Sequence, residues 1–426
     1  MEKTVDRLLG DSVDEDLFQE PEGVIPDEDT LRLIEVVRTA KKGSPGQEKA
    51  RKELRQREFR AFLALRAWWL QRMRYSPQAL REMMTLFWHG HFATSAEKVR
   101  SPLMLYRQNQ TLRDGALGGI PDLAQAIASD PAMMRYLDVT GSTRAKPNEN
   151  FARELMELFL LGEGHYTEED IRECARAFTG YRVNPATGEV RFFPRQHDSG
   201  TKTIFGKSGE FGAADVVEII ASQPRCADFL GAKIWAFLAG RPASPELVRA
   251  LGQSLRSGEL EVAPFLRTIL SSREFYEDTV IGQSVKSPVV WLVGTSKALG
   301  LPLHGSMPEQ NALRELGQVL FAPPNVKGWE GGLAWISATT LVNRCNLADT
   351  LFLRNARGRE WIAPRERSSP RQAAEAAMQI LFPIGGPPGL VERAASEGGP
   401  QDRPVTDEGL IAIFRTLLTA PEFQLT

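Results

Sequence analysis

The feature that most constrains this chain is a helical segment of inverted polarity, which runs from Asn148 to Leu161 and is followed by Gly162. Asn148 is a good N-cap residue, Glu149 lies at the positive end of the helix dipole, and Gly162 is typical of a helix end. Apolar side chains cover most of the circumference, and the polar ones form one narrow stripe, which consists of Asn150, Arg153, Glu154 and Glu157. The pattern predicts a mostly buried helix whose carboxylates face a cation, a metal ion or a polar cavity.

Histidines are concentrated around the same segment. Four of the five in the chain lie between residues 80 and 206, namely His89, His91, His165 and His197. The sequence Trp-His-Gly-His-Phe at 88–92 predicts the end of a helix, and alternate side chains of an extended segment project the same way. His89 and His91 therefore have a familiar spacing for metal ligands. The alternative is that both imidazoles are hydrogen-bonded members of an aromatic core.

The convincing strand signals lie at 181–184, 189–194 and 202–206, and His197 and Asp198 fall in the loop before the last of them. Loops on a helical scaffold often carry functional groups, although a surface histidine and a loop aspartate explain the same pattern. His165 lies in a tight loop directly after the inverted helix. These positions predict one site that combines imidazoles and carboxylates from separate elements.

The rest of the chain is predicted to be helical, so we expect a mainly α, multi-helical globular protein with a small β-hairpin or ribbon near residues 181–206. The 426 residues and 42% hydrophobic content are ample for a large core. A net charge of −2 gives no reason to expect a nucleic-acid partner. No apolar run approaches the length of a transmembrane helix, and we expect a cytoplasmic protein, or a periplasmic one if a leader has been removed.

Three regions are predicted along the chain. Residues 1–45 form an acidic, extended N-terminal arm and a short helix, residues 46–280 form a helical domain that carries the site and the β-ribbon, and residues 281–426 form a C-terminal helical region packed on it. Segments 356–370 and 384–406, which are rich in arginine, proline and glycine, are predicted to be exposed loops.

Four phrases together make the chain resemble a known family: Leu-Phe-Trp-His-Gly-His-Phe-Ala-Thr-Ser at 86–95, Pro-Asn-Glu-Asn-Phe-Ala-Arg-Glu-Leu-Met-Glu-Leu-Phe at 147–159, Gly-Glu-Gly-His-Tyr-Thr-Glu at 162–168 and Pro-Pro-Asn-Val-Lys-Gly-Trp at 323–329. Over roughly residues 60–426 the chain resembles the bacterial domain-of-unknown-function family numbered 1800. The acidic arm replaces the family's usual glycine-rich opening. Members are often encoded beside sulfatase-like partners and many look exported, so the resemblance implies a role in envelope or polysaccharide processing.

The first functional hypothesis is a metal-dependent, hydrolase-like enzyme that acts on an anionic or glycan substrate. Its candidate metal ligands are His89, His91, His197, Asp198 and Glu157, and its candidate catalytic residues are Glu154, Arg153, His165 and Arg195. Neutral imidazoles and carboxylates suit zinc, manganese or iron, and an open coordination position activates water. Glu154 is a ligand or general base, and Arg153 and Arg195 hold the anionic group.

Two alternatives remain open. Carboxylate and histidine could act on a glycan as acid and base without a cation. A non-catalytic helical scaffold would instead use its polar stripe as a buried hydrogen-bond network and bind a protein partner, such as a sulfatase-like envelope protein. The sequence has no phosphate-binding glycine loop, no Gly-x-Ser-x-Gly turn and no Cys-x-x-Cys pair, which argues against nucleotide enzymes, serine hydrolases and thiol redox proteins.

Overall fold

The computed structural model describes residues 2–10, 18–353 and 364–425, and it confirms a mainly α-helical protein. Its α-helices, in chain order, are α1 Glu2–Leu9, α2 Glu28–Thr39, α3 Pro45–Tyr75, α4 Ala79–His91, α5 Ala96–Val99, α6 Pro102–Asp114, α7 Ile120–Ala128, α8 Pro131–Tyr136, α9 Glu149–Glu154, α10 Glu168–Ala177, α11 Ala213–Ala221, α12 Pro224–Ala239, α13 Pro245–Ser257, α14 Val262–Ser271, α15 Pro288–Ala298, α16 Met307–Glu315, α17 Ala338–Leu347, α18 Pro370–Leu381, α19 Leu390–Glu397 and α20 Asp407–Thr419.

The predicted β-structure is present as two separate antiparallel hairpins. Strand β1 (Tyr181–Val183) pairs with β2 (Val190–Phe192), and β3 (Lys202–Ile204) pairs with β4 (Lys207–Gly209). The strands therefore do not form one continuous ribbon, because each finds its partner across its own short turn.

Two hydrophobic cores hold the helices together. The first is built from residues between Leu80 and Val280, including the inner face of α9 and the helices α10–α14. The second joins α3 to the C-terminal helices α15–α20. Helix α3 begins the region that we predicted as the middle domain, yet it packs in the same core as the C-terminal region. The predicted domain boundaries themselves stay a prediction.

The start of the chain differs from the predicted extended arm. Residues 2–9 form helix α1, where the buried side chain of Val5 anchors the segment and Asp6 pairs with Arg267 of α14. Part of the predicted arm, residues 11–17, lies outside the described residues. The loop predicted at 356–370 also lies partly outside them, and the loop predicted at 384–406 is wrong where α19 forms.

A buried ion-pair network fixes helix α4 against α3 and α6. Glu82 accepts hydrogen bonds from Arg113 at 2.7 and 3.1 Å and from the indole nitrogen of Trp69 at 3.1 Å. Arg72 adds a longer contact of 3.4 Å. These cations lower the pKa of Glu82 although burial opposes the charged form. The network therefore fixes the position of the last turn of α4, which carries His89 and His91.

The inverted helix forms as predicted but changes its winding. The side chain of Asn148 caps the backbone N–H of Asn150 at 3.0 Å, and α9 continues from Leu155 to Leu160 as a π-helix. Gly162 follows with a φ of +85°, the left-handed conformation that favours glycine. Because short π-segments are frequent at functional sites, the last turn of this helix marks a place to look for one.

None of the helices in the described parts of the chain combines the length and the apolar character needed to cross a membrane.

Candidate functional site

The side chains of the two histidines in the His-Gly-His phrase point in different directions. Helix α4 continues to His91, so the extended segment predicted at 88–92 does not exist. Residues two apart on an α-helix project roughly 200° apart, whereas alternate residues of a strand project together. The expectation that this spacing brings both imidazoles together is therefore wrong.

His89 holds the loop that follows α16. Its ring is buried, and its Nε2 accepts a hydrogen bond of 3.1 Å from the backbone N–H of Phe321. Phe321 has a φ of +61°, which is unusual for a bulky side chain, and its carbonyl accepts the N–H of Ala96. Burial lowers the pKa of His89 to about 3, so the imidazole is neutral. His89 fixes this strained corner.

His91 leaves one ring nitrogen without a partner. Its Nε2 donates a hydrogen bond of 2.9 Å to the carbonyl of Phe159, in the π-helical turn, and Nδ1 is buried without a partner among the described residues. Burial and the nearby charge of Lys233 hold the pKa of His91 well below its usual value. The neutral ring therefore keeps one buried acceptor nitrogen that no described residue uses.

The carboxylates of the inverted helix have separate surroundings. Glu157 accepts a hydrogen bond of 2.6 Å from the hydroxyl of Tyr166. Arg153 forms a two-bond pair with Glu168, with both distances at 2.8 Å. Burial and the charge of Glu157 raise the pKa of Glu154, while Lys327 and Arg153 oppose that shift. Arg153 is therefore already neutralised on the surface of α10.

The other predicted residues lie on the hairpin side and are held by local partners. Asp198 makes a two-bond pair with Arg176 at 2.8 and 3.1 Å, which lowers the pKa of that carboxyl. The Nδ1 of His197 donates to the carbonyl of Thr179 at 3.0 Å. His165 and Arg195 are exposed, and neither makes a hydrogen bond or ion pair with a described residue.

In the parts of the chain that the structure describes, no three histidine, cysteine, aspartate or glutamate side chains group closely enough to hold a metal ion. The divalent metal and its ligands therefore stay a prediction.

What the structure does bring together is a different pair of phrases. The His-Gly-His turn of α4 meets the Pro-Pro-Asn-Val-Lys-Gly-Trp loop, more than 230 residues further along the chain.

A glycine of the loop makes that meeting possible. Gly328 has a φ of +79°, and a Cβ added to it would overlap the carbonyl oxygen of Gly90 and lie 3.0 Å from its carbonyl carbon. A Cβ on Gly90 would lie 3.7 Å from the ring of Trp329. The loop backbone thus lies directly on the last turn of α4. Position 328 favours glycine for a specific reason, namely close backbone approach at a positive φ, whereas the contact at Gly90 is an ordinary van der Waals distance.

A cavity of about 430 Å³ opens beside this contact, and we call it the motif pocket. Its walls come from α4, α12, the segment before α15 and the loop at 325–335. Its lining includes His91, Lys233, Lys286, Lys327, Trp329 and Trp335. The volume is that of a small-molecule site, and the walls combine aromatic side chains with a few polar groups.

The charged groups of the motif pocket are mostly cationic. Lys233, Lys286 and Lys327 line it, against one carboxylate, the exposed Glu330. Lys286 already donates to the carbonyl of Phe423 at 2.7 Å. Lys233 has no hydrogen bond or carboxylate partner among the described residues. It lies over the ring of Phe229 at 5.1 Å, and burial lowers its pKa to about 8.

Sequence reasoning missed Lys233, and it quoted Lys327 and Trp329 without giving them a role. Lys233 lies in an amphipathic helix with no motif around it, so only its tertiary environment distinguishes it. For Trp329 a signal was available, because a tryptophan beside a glycine in a rigid, polar loop is a typical binding residue.

The fold and the motif pocket together define a mainly helical protein. Its pocket has the size of a small-molecule site and lies where the segments 86–95 and 323–329 meet. The chain belongs to the family described as "Protein of unknown function (DUF1800)", whose model matches residues 1–425. The match includes the first 59 residues, which we expected to fall outside the resemblance. No curated protein and no solved structure matches the chain.

Proposed function

We propose that the chain binds a small organic anion in the motif pocket, one that carries a negatively charged group next to a ring or apolar part. One observation carries the proposal: the ammonium of Lys233, a residue that lines the pocket, has neither a hydrogen bond nor a carboxylate partner among the described residues. Two further residues of the lining, His91 and Trp329, each carry a buried polar atom without a partner among the described residues, namely Nδ1 and the indole N–H. Buried polar groups nearly always have partners, so these two atoms beside the half-buried Lys233 point to a ligand.

The chemistry of these groups describes the ligand. Lys233 offers a cation in a low-polarity site, where attraction to an anion is stronger than in water. His91 and Trp329 of the lining add an acceptor nitrogen and an indole N–H donor, both shielded from solvent and without a partner among the described residues. Trp329 and Trp335 provide aromatic walls for a ring. An acidic sugar has all of these complements, which agrees with the anionic or glycan substrate predicted from the sequence.

Ligand-observed NMR tests this proposal with pairs of compounds that differ only in charge, starting with glucuronate against glucose and extending to aromatic carboxylates and sugar phosphates. We expect at least one anion to bind in preference to its neutral counterpart, and Lys233→Met to weaken it about tenfold or more. Lys42→Met is the matched control, because Lys42 is exposed and does not line the pocket. Failure of every anion to bind, or equal binding by Lys233→Met and the wild type, would overturn the proposal.

The second candidate is the metal-assisted hydrolase, and His91 is the observation that favours it. Histidines that bind metals usually donate their other ring N–H to a carboxylate or backbone carbonyl, as His91 does to Phe159. Metal analysis of the purified protein, repeated on His89→Ala plus His91→Ala, tests this candidate. Stoichiometric metal that disappears in the variant supports it, and the same trace amount in both contradicts it.

The sulfatase-like partner and the location in the cell are proposals that rest on the resemblance. A partner of that kind would act on the same anionic glycan that the motif pocket binds. Co-purification with a tagged sulfatase-like protein encoded beside the chain tests the partnership, and fractionation of the native cells tests whether the protein is cytoplasmic or exported. Failure of the two proteins to co-purify, or their recovery in different cell fractions, would contradict the partnership.

A further inference from the structure

A second cavity, of about 530 Å³, lies between α2, α3, the start of α6 and α8. We call it the arginine pocket. Its lining contains one acidic side chain, Glu58, and six basic ones, which are Arg38, Arg51, Arg55, Arg57, Arg100 and Arg135. None of these residues belongs to the motif pocket.

Two of the six arginines are already neutralised. Arg38 makes a two-nitrogen pair with Glu35 at distances of 2.7 to 3.1 Å. Arg57 binds both carboxylate oxygens of Asp27 at 3.0 Å. Their guanidinium groups therefore have little left to offer a ligand.

The other four have no such partner. Among the described residues, no carboxylate lies within 4.0 Å of Arg51, Arg55, Arg100 or Arg135. Burial raises the pKa of Glu58, and Arg100, Arg135 and Arg55 are the charges that oppose this shift. These three cations line the same pocket as Glu58, and none of them pairs with it within 4.0 Å. With Glu58 ionised, four unneutralised arginines and one acid leave the pocket with an excess of three positive charges.

We propose that the arginine pocket binds an anion that carries at least two phosphate or sulfate groups. The arginines come from α3, the end of α5 and α8, so they approach from several directions, and each planar guanidinium can hold two oxygens of a tetrahedral group. One carboxylate would leave most of the excess charge unpaired. A ligand with two or more tetrahedral anionic groups matches both the charge and the volume.

Isothermal titration calorimetry at 0.15 M salt tests this, because exposed long-range attraction is then largely screened. The probes are inorganic pyrophosphate and a disulfated, heparin-derived disaccharide, with the unsulfated disaccharide as the neutral control. We expect one or both charged probes to bind and the neutral one not to bind. Pyrophosphate alone identifies a phosphate ligand, the sulfated sugar alone identifies a sulfate ligand, and binding of both supports the shared chemistry.

Three variants locate the binding. Arg135→Gln removes an unpaired cation and should raise the Kd about tenfold or more. Glu58→Gln removes the carboxylate that competes with the ligand and should lower the Kd several-fold. Arg38→Gln is the matched control, because this arginine lines the same pocket but is already paired, and it should change the Kd less than twofold. If Arg135→Gln does not fold, the exposed pair Arg55→Gln plus Arg100→Gln replaces it.

Several results would overturn the inference. They are no binding of either charged probe, an Arg38→Gln effect as large as that of Arg135→Gln, and binding of a ten-nucleotide single strand when neither small probe binds. Lys233→Met separates this inference from the proposed function. It should leave pyrophosphate binding unchanged, whatever happens at the motif pocket.

Discussion

The contact between Gly328 and Gly90 offers the sharpest test of how the motif pocket is built. An alanine at position 328 meets two obstacles. Its φ of +79° costs a residue with a side chain about 1–2 kcal/mol. Its Cβ would also overlap the carbonyl oxygen of Gly90, which is backbone and cannot rotate away. The loop must therefore move, and lost packing of Trp329 brings the expected total for Gly328→Ala to roughly 3 kcal/mol or more.

Gly43 provides the control. It has the same φ of +79°, but a Cβ added there has no neighbour within 4 Å. Gly43→Ala should therefore cost only the conformational term, about 1–2 kcal/mol. Urea unfolding followed by tryptophan fluorescence measures both variants, and native-state fluorescence reports displacement of Trp329. Equal losses of stability in the two variants, with unchanged native fluorescence, would refute the close backbone approach.

Three further predictions follow from buried and paired charges. Glu82→Gln leaves Arg113 without a counter-charge in the core and should lower the free energy of unfolding by roughly 3–5 kcal/mol, measured by urea denaturation; a loss below 1 kcal/mol would contradict the network. Asp198→Asn should lower thermal stability modestly and leave anion binding in the motif pocket unchanged, whereas lost binding would place Asp198 in that site. Lys233 has a folded-state pKa of about 8 against a usual 10.5, so the unfolded chain holds the extra proton between these values and stability rises with pH across that window. Melting temperatures from pH 7 to 10.5 should show a smaller rise in Lys233→Met than in the wild type, and parallel curves would contradict the burial of that ammonium.

Much of the helical framework could be predicted from sequence because its signals are local. The caps of Asn148 and Thr167 are recognisable within a few residues, and both form, the latter as a full capping box with Asp170. Gly162 ends its helix in the left-handed conformation, as the pattern indicated.

Errors arose where tertiary contacts overrode local signals. Gly90 looks like a helix end, yet α4 continues through it because the aromatic side chains of its last turn are buried on both sides. Gly328 lies against the backbone carbonyl of Gly90, a contact that no local pattern reveals. Helix α19 forms within a segment rich in glycine and proline because Leu390 and Ala394 complete the second core.

Only part of the candidate site could be predicted from the sequence. The two phrases that meet at the motif pocket were recognisable separately, but their contact depends on folding across more than 230 residues. Lys233 could not be singled out, because a lysine on an amphipathic helix is usually solvated. Lys233 is half-buried and has no carboxylate partner among the described residues, a property that depends on the tertiary structure.

The measurement that tests the central claim most directly is the protonation of Lys233 itself. Reductive ¹³C-methylation of the lysines allows each ammonium to be titrated by NMR, and Lys233→Arg assigns the relevant signal by its disappearance. Our account predicts a pKa of about 8 in the free protein, and a rise when an anion from the ligand screen is added, because the anion stabilises the charged form. A signal that titrates near 10.5 and does not respond to any anion would contradict it.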